Sequence, residues 1–186
     1  MESTPRSGGW PELAGFLASL SQEDRDRFSR YAALDLPASE EEIAAVLASY
    51  SRGNPEGTPA GLLATTGAQA GFAGELEFAR RVGRAALELS GTREERALAN
   101  VSLAQTHFQG RRDEEELALF EHHCRAAIEA GHSGTFCYER LAALYEYRGE
   151  LAEAERVCRR AVEVLDHEDP RSAERFRKRL RRLSAG

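Results

Sequence analysis

Apolar residues recur at spacings of three and four along most of the chain, the period of one face of an α-helix. Leu13, Phe16, Leu17 and Leu20 form the first such stripe, over residues 11–20. Phe28, Tyr31, Ala32 and Leu34 form the second. Ser21 with Asp24 three residues on opens it, and Asp35-Leu36-Pro37 closes it. Ile43, Val46, Leu47 and Tyr50 follow, behind a capping box of Ser39 and Glu42. The run from Arg52 to Pro59 then holds two prolines and two glycines in eight residues, the strongest breaker in the chain. It predicts the main internal boundary.

Beyond it the predicted helices come in pairs. Residues 59–70 form a helix weakened by Gly61 and Gly67. Leu76, Ala79, Val82, Ala86 and Leu89 lie between Gly74 and Gly91. Thr92 with Glu95 opens a stripe of Val101, Ala104 and Phe108 that Gly110 stops. Asp113 caps one of Leu117, Phe120, Cys124, Ala127 and Ile128, which ends at Gly131. Phe136, Tyr138, Leu141, Ala142 and Tyr145 run to Gly149, and Leu151, Ala154, Val157, Cys158, Ala161 and Val164 follow. Asp169-Pro170, a cap followed by proline, starts a last helix through Phe176, Leu180 and Leu183.

A longer period underlies the short one. Tyr138, Leu141, Ala142 and Tyr145, then Gly149, then Ala154, Cys158 and Ala161, then Asp169-Pro170, resemble the tetratricopeptide repeat, a helix–turn–helix unit of 34 residues. That family places a large aromatic, Leu, a small residue and Tyr in its first helix, and Ala, an aromatic and Ala in its second. Cys158 departs from the usual aromatic, and Pro170 falls about two residues late. A shift of 38 from Leu141-Ala142 lands on Leu103-Ala104, followed by Leu117, Cys124 and Ala127. A shift of 75 from Ala142, Gly149, Ala154, Cys158 and Ala161 lands on Gly67, Gly74, Ala79, Gly83 and Ala86, all small. The resemblance thus covers residues 59–168 and implies a right-handed superhelical array of three antiparallel helix pairs, an all-α solenoid. Residues 169–186 would cap it. Residues 10–52 would be an atypical repeat or an N-terminal cap, joined by a linker at 53–58 and preceded by a flexible tail at 1–9.

Composition agrees. Val and Ile together number only eight in 186 residues, too few for a large sheet. The net charge of −6 argues against a general nucleic-acid binder. Charge is unevenly placed: residues 169–186 carry +5 and the rest of the chain −11. That basic helix reads as a solvating cap. Its alternative reading is an anionic contact through Arg171, Arg175, Lys178 and Arg182. No apolar run reaches the length of a membrane span, and no secretory leader pattern opens the chain. Three cysteines in such a chain point to reduced thiols and a cytoplasmic setting, and arginine in place of lysine at all basic positions but Lys178 suggests a GC-rich bacterial genome.

Candidate chemistry is sparse. His122, His123 and Cys124 are consecutive, so on a helix they diverge by about 100° each and do not share an ion. Nucleophile-elbow, phosphate-loop and dinucleotide motifs are missing. The acidic runs Glu40–Glu42, Glu94-Glu95 and Asp113–Glu116 fall in predicted first turns, where they complement the helix dipole. The expectation is a non-enzyme without a cofactor.

The family resemblance implies a protein–protein scaffold that holds a segment of a partner in a groove lined by first helices. Groove positions would be Val101, Gln105 and Phe108 in the middle unit and Phe136, Glu139, Ala143 and Glu146 in the last, an apolar and acidic mixture suited to a segment bearing Lys or Arg. They do not match the family's carboxylate clamp of Lys, Asn and Arg. A peptide-sensing regulator and a self-assembling structural protein remain open as alternatives.

Overall fold

The computed structural model describes residues 9–184. The tail expected at 1–9 therefore lies, except for Gly9, outside the described residues. Ten α-helices and no strand make up the described chain: α1 (Trp10–Ser19), α2 (Gln22–Ala32), α3 (Glu40–Gly53), α4 (Pro59–Phe72), α5 (Leu76–Leu89), α6 (Arg93–Gln109), α7 (Glu114–Glu129), α8 (Thr135–Arg148), α9 (Leu151–Glu168) and α10 (Pro170–Leu183). The all-α class follows directly.

Local chemistry sets the helix ends. The side chains of Ser21, Ser39, Thr58 and Thr92 each accept the backbone N–H three residues on. At Thr92 the reciprocal bond from Glu95 completes the box, and Glu95 also accepts from the N–H of Gly91 at 2.7 Å. Asp113 accepts from Glu115 and Glu116, and Asp169 from Ser172. The acidic runs do occupy first turns of α3, α6 and α7. Gly149 closes α8 at φ 75°, with nothing within 4 Å of where a Cβ would stand. Gly149→Ala is therefore a pure backbone test. It should lower unfolding free energy by about 1 kcal/mol in urea titrations, the cost of a left-handed non-glycine residue.

Helices α4 and α5, α6 and α7, and α8 and α9 pack side by side across short turns. Successive pairs touch through α4–α6, α5–α6 and α7–α8, and α10 packs on α9. Small residues allow the close approaches. A Cβ on Gly67 would lie 3.1 Å from Ser102 Oγ and 3.3 Å from the Ala79 carbonyl; one on Gly83 would lie 2.7 Å from a Leu103 methyl. Ala142 and Ala154, which the repeat reading places at the α8–α9 contact, are fully buried.

The core is continuous across the expected boundary. Leu13, Leu17, Phe28, Ile43 and Leu47 of α1–α3 share one cluster with Leu63, Ala70, Val82 and Ala86 of α4 and α5. Residues 54–58 break the helix but not the packing. A second cluster joins α6 to α9 around Phe120, Cys124, Leu141 and Tyr145, and a third joins α8, α9 and α10 around Tyr138, Leu165 and Phe176. No described helix is long and apolar enough to cross a membrane.

Candidate functional site

The expected groove residues do not all reach solvent. Val101 is only 8% exposed and belongs to the core with Ala104, Phe120 and Leu141, so it is not a groove contact. Phe108 and Phe136 are half-buried. They form an aromatic cluster with Phe120, with ring centroids 5.2–6.4 Å apart. The Phe108 ring is further covered by two guanidiniums, Arg111 at 4.4 Å and Arg140 at 5.0 Å. Gln105 is half-buried and Ala143 is exposed.

Glu139 and Glu146 are not free acids. Helix α10 lies beside α8 and supplies their partners. Arg175 bonds Glu139 at 3.1 Å, Arg182 donates to Glu146 at 2.6 Å, and Arg179 donates through Nε to the other Glu146 oxygen. The acidic groove positions and the basic last helix, read as two separate surfaces from the sequence, are two halves of one contact. Arg177 and Arg181 are likewise paired, with Asp166 and Glu174. Of the basic residues of α10, only Arg171 and Lys178 have no carboxylate partner among the described residues. Arg175, Arg177, Arg179 and Arg182 thus fasten this helix to carboxylates of α8 and α9.

What the periodic stripe did not disclose is a set of exposed apolar side chains. Four large hydrophobic side chains are exposed among the described residues: Phe72 at 68%, Leu98 at 42%, Tyr147 at 89% and Leu151 at 44%. The first three sit on α4, α6 and α8, the first helices of the three pairs. At about 100° per residue, each lies roughly 120–140° round its helix from the small residue at the pair contact, which is Gly67, Ala104 or Ala142. Gln105 and Ala143 fall on the same side. The sequence held this signal: Phe72 and Tyr147 are separated by 75, the spacing of the first and last units.

A polar seam runs through the neighbouring interior. Arg80 of α5 donates to Glu116 at 2.8 Å, and Glu116 meets His107 Nδ1 at 2.9 Å. The His107 ring stacks on His123 at 5.4 Å, and His123 Nδ1 is 2.9 Å from Asn100 Oδ1. Desolvation raises and the His107, Arg80 contacts lower the Glu116 pKa, and the contacts prevail, holding it below the usual carboxylate range. Burial, reinforced by His107 and His122, pushes His123 down to about 4. His122 is exposed and Cys124 sits in the core, so the His-His-Cys run points three ways, and no three metal-ligating groups converge among the described residues.

The thiols are packing groups. Cys124 and Cys137 share one core cluster, and burial drives the Cys124 pKa far up; Cys158 is pushed to about 11 by the same cause. Such thiols are poor nucleophiles. Burial also raises Tyr138 and Tyr145 to about 12. Tyr138 donates to the His132 carbonyl at 2.8 Å, and Tyr145 bridges Arg125 and Glu121. Both hydroxyls thus hold the α7–α8 contact together.

Comparison with protein-family models, with curated proteins and with solved structures finds no match for this chain.

Proposed function

We propose that this chain is a protein–protein interaction scaffold, a tetratricopeptide-like array of helix pairs that holds a segment of another protein along the face of its first helices. The observation that carries this reading is the exposure of Phe72, Leu98 and Tyr147, one on the first helix of each pair. Exposed large apolar side chains are the kind of anchor that supplies most of the energy of protein contacts. Three helix pairs between N-terminal helices and a terminal helix satisfy the minimum such arrays need to bury their faces. The buried thiols and the interior placement of His107 and His123 favour a binding role over catalysis.

Affinity capture from the native host with the full chain tests the reading, run beside a Phe72→Asp, Leu98→Asp, Tyr147→Asp triple variant whose helix content is checked by circular dichroism. Partners captured by the parent chain should be lost from the folded variant. Capture that survives all three changes would move the binding face elsewhere. Self-association of the parent chain that disappears in the variant would instead assign the face to a second copy, the self-assembling alternative.

A further inference from the structure

Beside the apolar anchors on α8, a cleft of about 380 Å³ opens between α8 and α10, lined by Glu139, Arg140, Ala143, Arg175, Phe176 and Arg179. Its charge is unbalanced: three guanidiniums face one carboxylate. Arg175 spends one nitrogen on Glu139 and another on Ser172 Oγ at 2.7 Å. Arg179 spends Nε on Glu146 and reaches the Glu139 carbonyl with Nη1, which leaves Nη2 without a partner among the described residues. Arg140 has no carboxylate within ion-pair distance among the described residues. Its guanidinium lies 5.0 Å from the centroid of the Phe108 ring, a cation–π contact that leaves its N–H groups uncommitted to any carboxylate among the described residues. A positioned guanidinium with open donors is suited to a carboxylate, which it takes through two parallel bonds.

The recess is also partly apolar. Phe176 is 2% exposed and lies at its base, while the small side chain of Ala143 leaves the recess open. Tyr147, one turn beyond Ala143 on the same side of α8, stands almost wholly in solvent.

We propose that the α8–α10 cleft binds an acidic segment of a partner protein, with side-chain carboxylates on Arg140 and Arg179 and an adjoining apolar side chain over Ala143 and Tyr147. This deepens the scaffold reading and rests on it, and it reverses the polarity inferred from the sequence. Glu139 and Glu146, which suggested a basic ligand, are already satisfied by α10, and Arg140 with the open Nη2 of Arg179 sets the preference. Charge complementarity selects the occupant: a basic segment would have to displace Arg175 and Arg179 from their own carboxylates, whereas an acidic one uses donors that are unspent.

A fluorescein-labelled peptide with blocked ends, alternating Glu pairs with Leu and Phe, tests this by anisotropy against the full chain. A matched peptide with Gln for Glu serves as comparison. The acidic peptide should bind at least about tenfold more tightly than its Gln counterpart, as expected for charge-assisted bonds. Arg140→Gln, which breaks no ion pair, should abolish that preference, and Ala143→Trp should block the cleft without changing its charge. Arg171→Gln, elsewhere on α10, should leave binding intact. Equal binding of the two peptides, or insensitivity to both Arg140→Gln and Ala143→Trp, would overturn the proposal. So would a single-stranded oligonucleotide that binds more tightly than the acidic peptide and is lost with Arg140→Gln. If acidic-peptide binding fails while host capture still depends on Phe72, Leu98 and Tyr147, the cleft assignment falls and the scaffold stands; if both fail, the scaffold falls too.

Discussion

Ala142→Trp and Ala154→Trp should each cost about 3 kcal/mol of unfolding free energy, or leave the chain unable to fold, because overpacking a close helix contact displaces backbone as well as side chains. Both alanines are fully buried, on α8 and α9, in the packing that joins these helices to each other and to their neighbours. Ala142 lies among Tyr138, Cys158 and Phe176, and Ala154 among Leu141 and Tyr145. Ala142 itself does not line the α8–α10 cleft, so an indole there meets packed side chains. Ala143→Trp is the internal control. One residue on, it faces solvent, and a surface change of this kind stays within about 0.5 kcal/mol. Urea titrations of the three variants read the register of α8 directly. Equal stabilities for Ala142→Trp and Ala143→Trp would mean that α8 does not present Ala142 to α9.

Helix starts and stops were legible in the sequence because they are local. Ser39, Thr92, Asp113 and Asp169 each bind an N–H within three residues, and glycine ends α8 because only the backbone at Gly149 matters. The pairing of helices was legible for a related reason: short turns force neighbours together, and small residues mark where they touch. Long-range electrostatics were not. Nothing near Glu146 announces that Arg179 and Arg182, more than 30 residues on, will take both its oxygens, although the spacing of Arg175, Arg179 and Arg182 on one helix face matches the seven-residue spacing of Glu139 and Glu146. The periodic stripe also misleads at its margins. Val101 lies at an edge and is buried because α7 and α8 close over it, whereas Phe72 and Tyr147, a few residues past the contact, escape into solvent. Apolarity along a helix reports what can be buried; only the neighbouring helices decide what is.

Stability should fall as pH drops from about 6.5 to about 4, with His123 as a main cause. The sign follows from where its proton goes. The ordinary imidazole value is 6.5, and the folded protein holds His123 at about 4 through burial first, then repulsion from His107 and His122. Between those values the unfolded chain binds a proton that the folded chain refuses, so the contribution is complete above pH 6.5 and is lost as pH falls towards 4. At about 1.4 kcal/mol per pKa unit, the gap corresponds to roughly 3 kcal/mol as an upper figure. The geometry explains the refusal. Asn100 donates its amide to the Arg96 carbonyl at 2.8 Å and so turns Oδ1 to His123, which donates from Nδ1 in its neutral form. His123 is 9% exposed and forms no ion pair with a carboxylate among the described residues, while Glu116 in the same seam is engaged by Arg80 and His107. His132, also lowered by burial, adds a loss of the same sign. The carboxylates Glu95, Glu116 and Glu121, held below their usual 4.5, give up their share only at still lower pH. His123→Gln keeps a donor for Asn100 and removes the titration. Urea unfolding at about pH 7 and about pH 4.5, at one ionic strength, should show the parent chain losing roughly 2 kcal/mol more than this variant; equal losses in the two would place the acid sensitivity outside the α6–α7 seam.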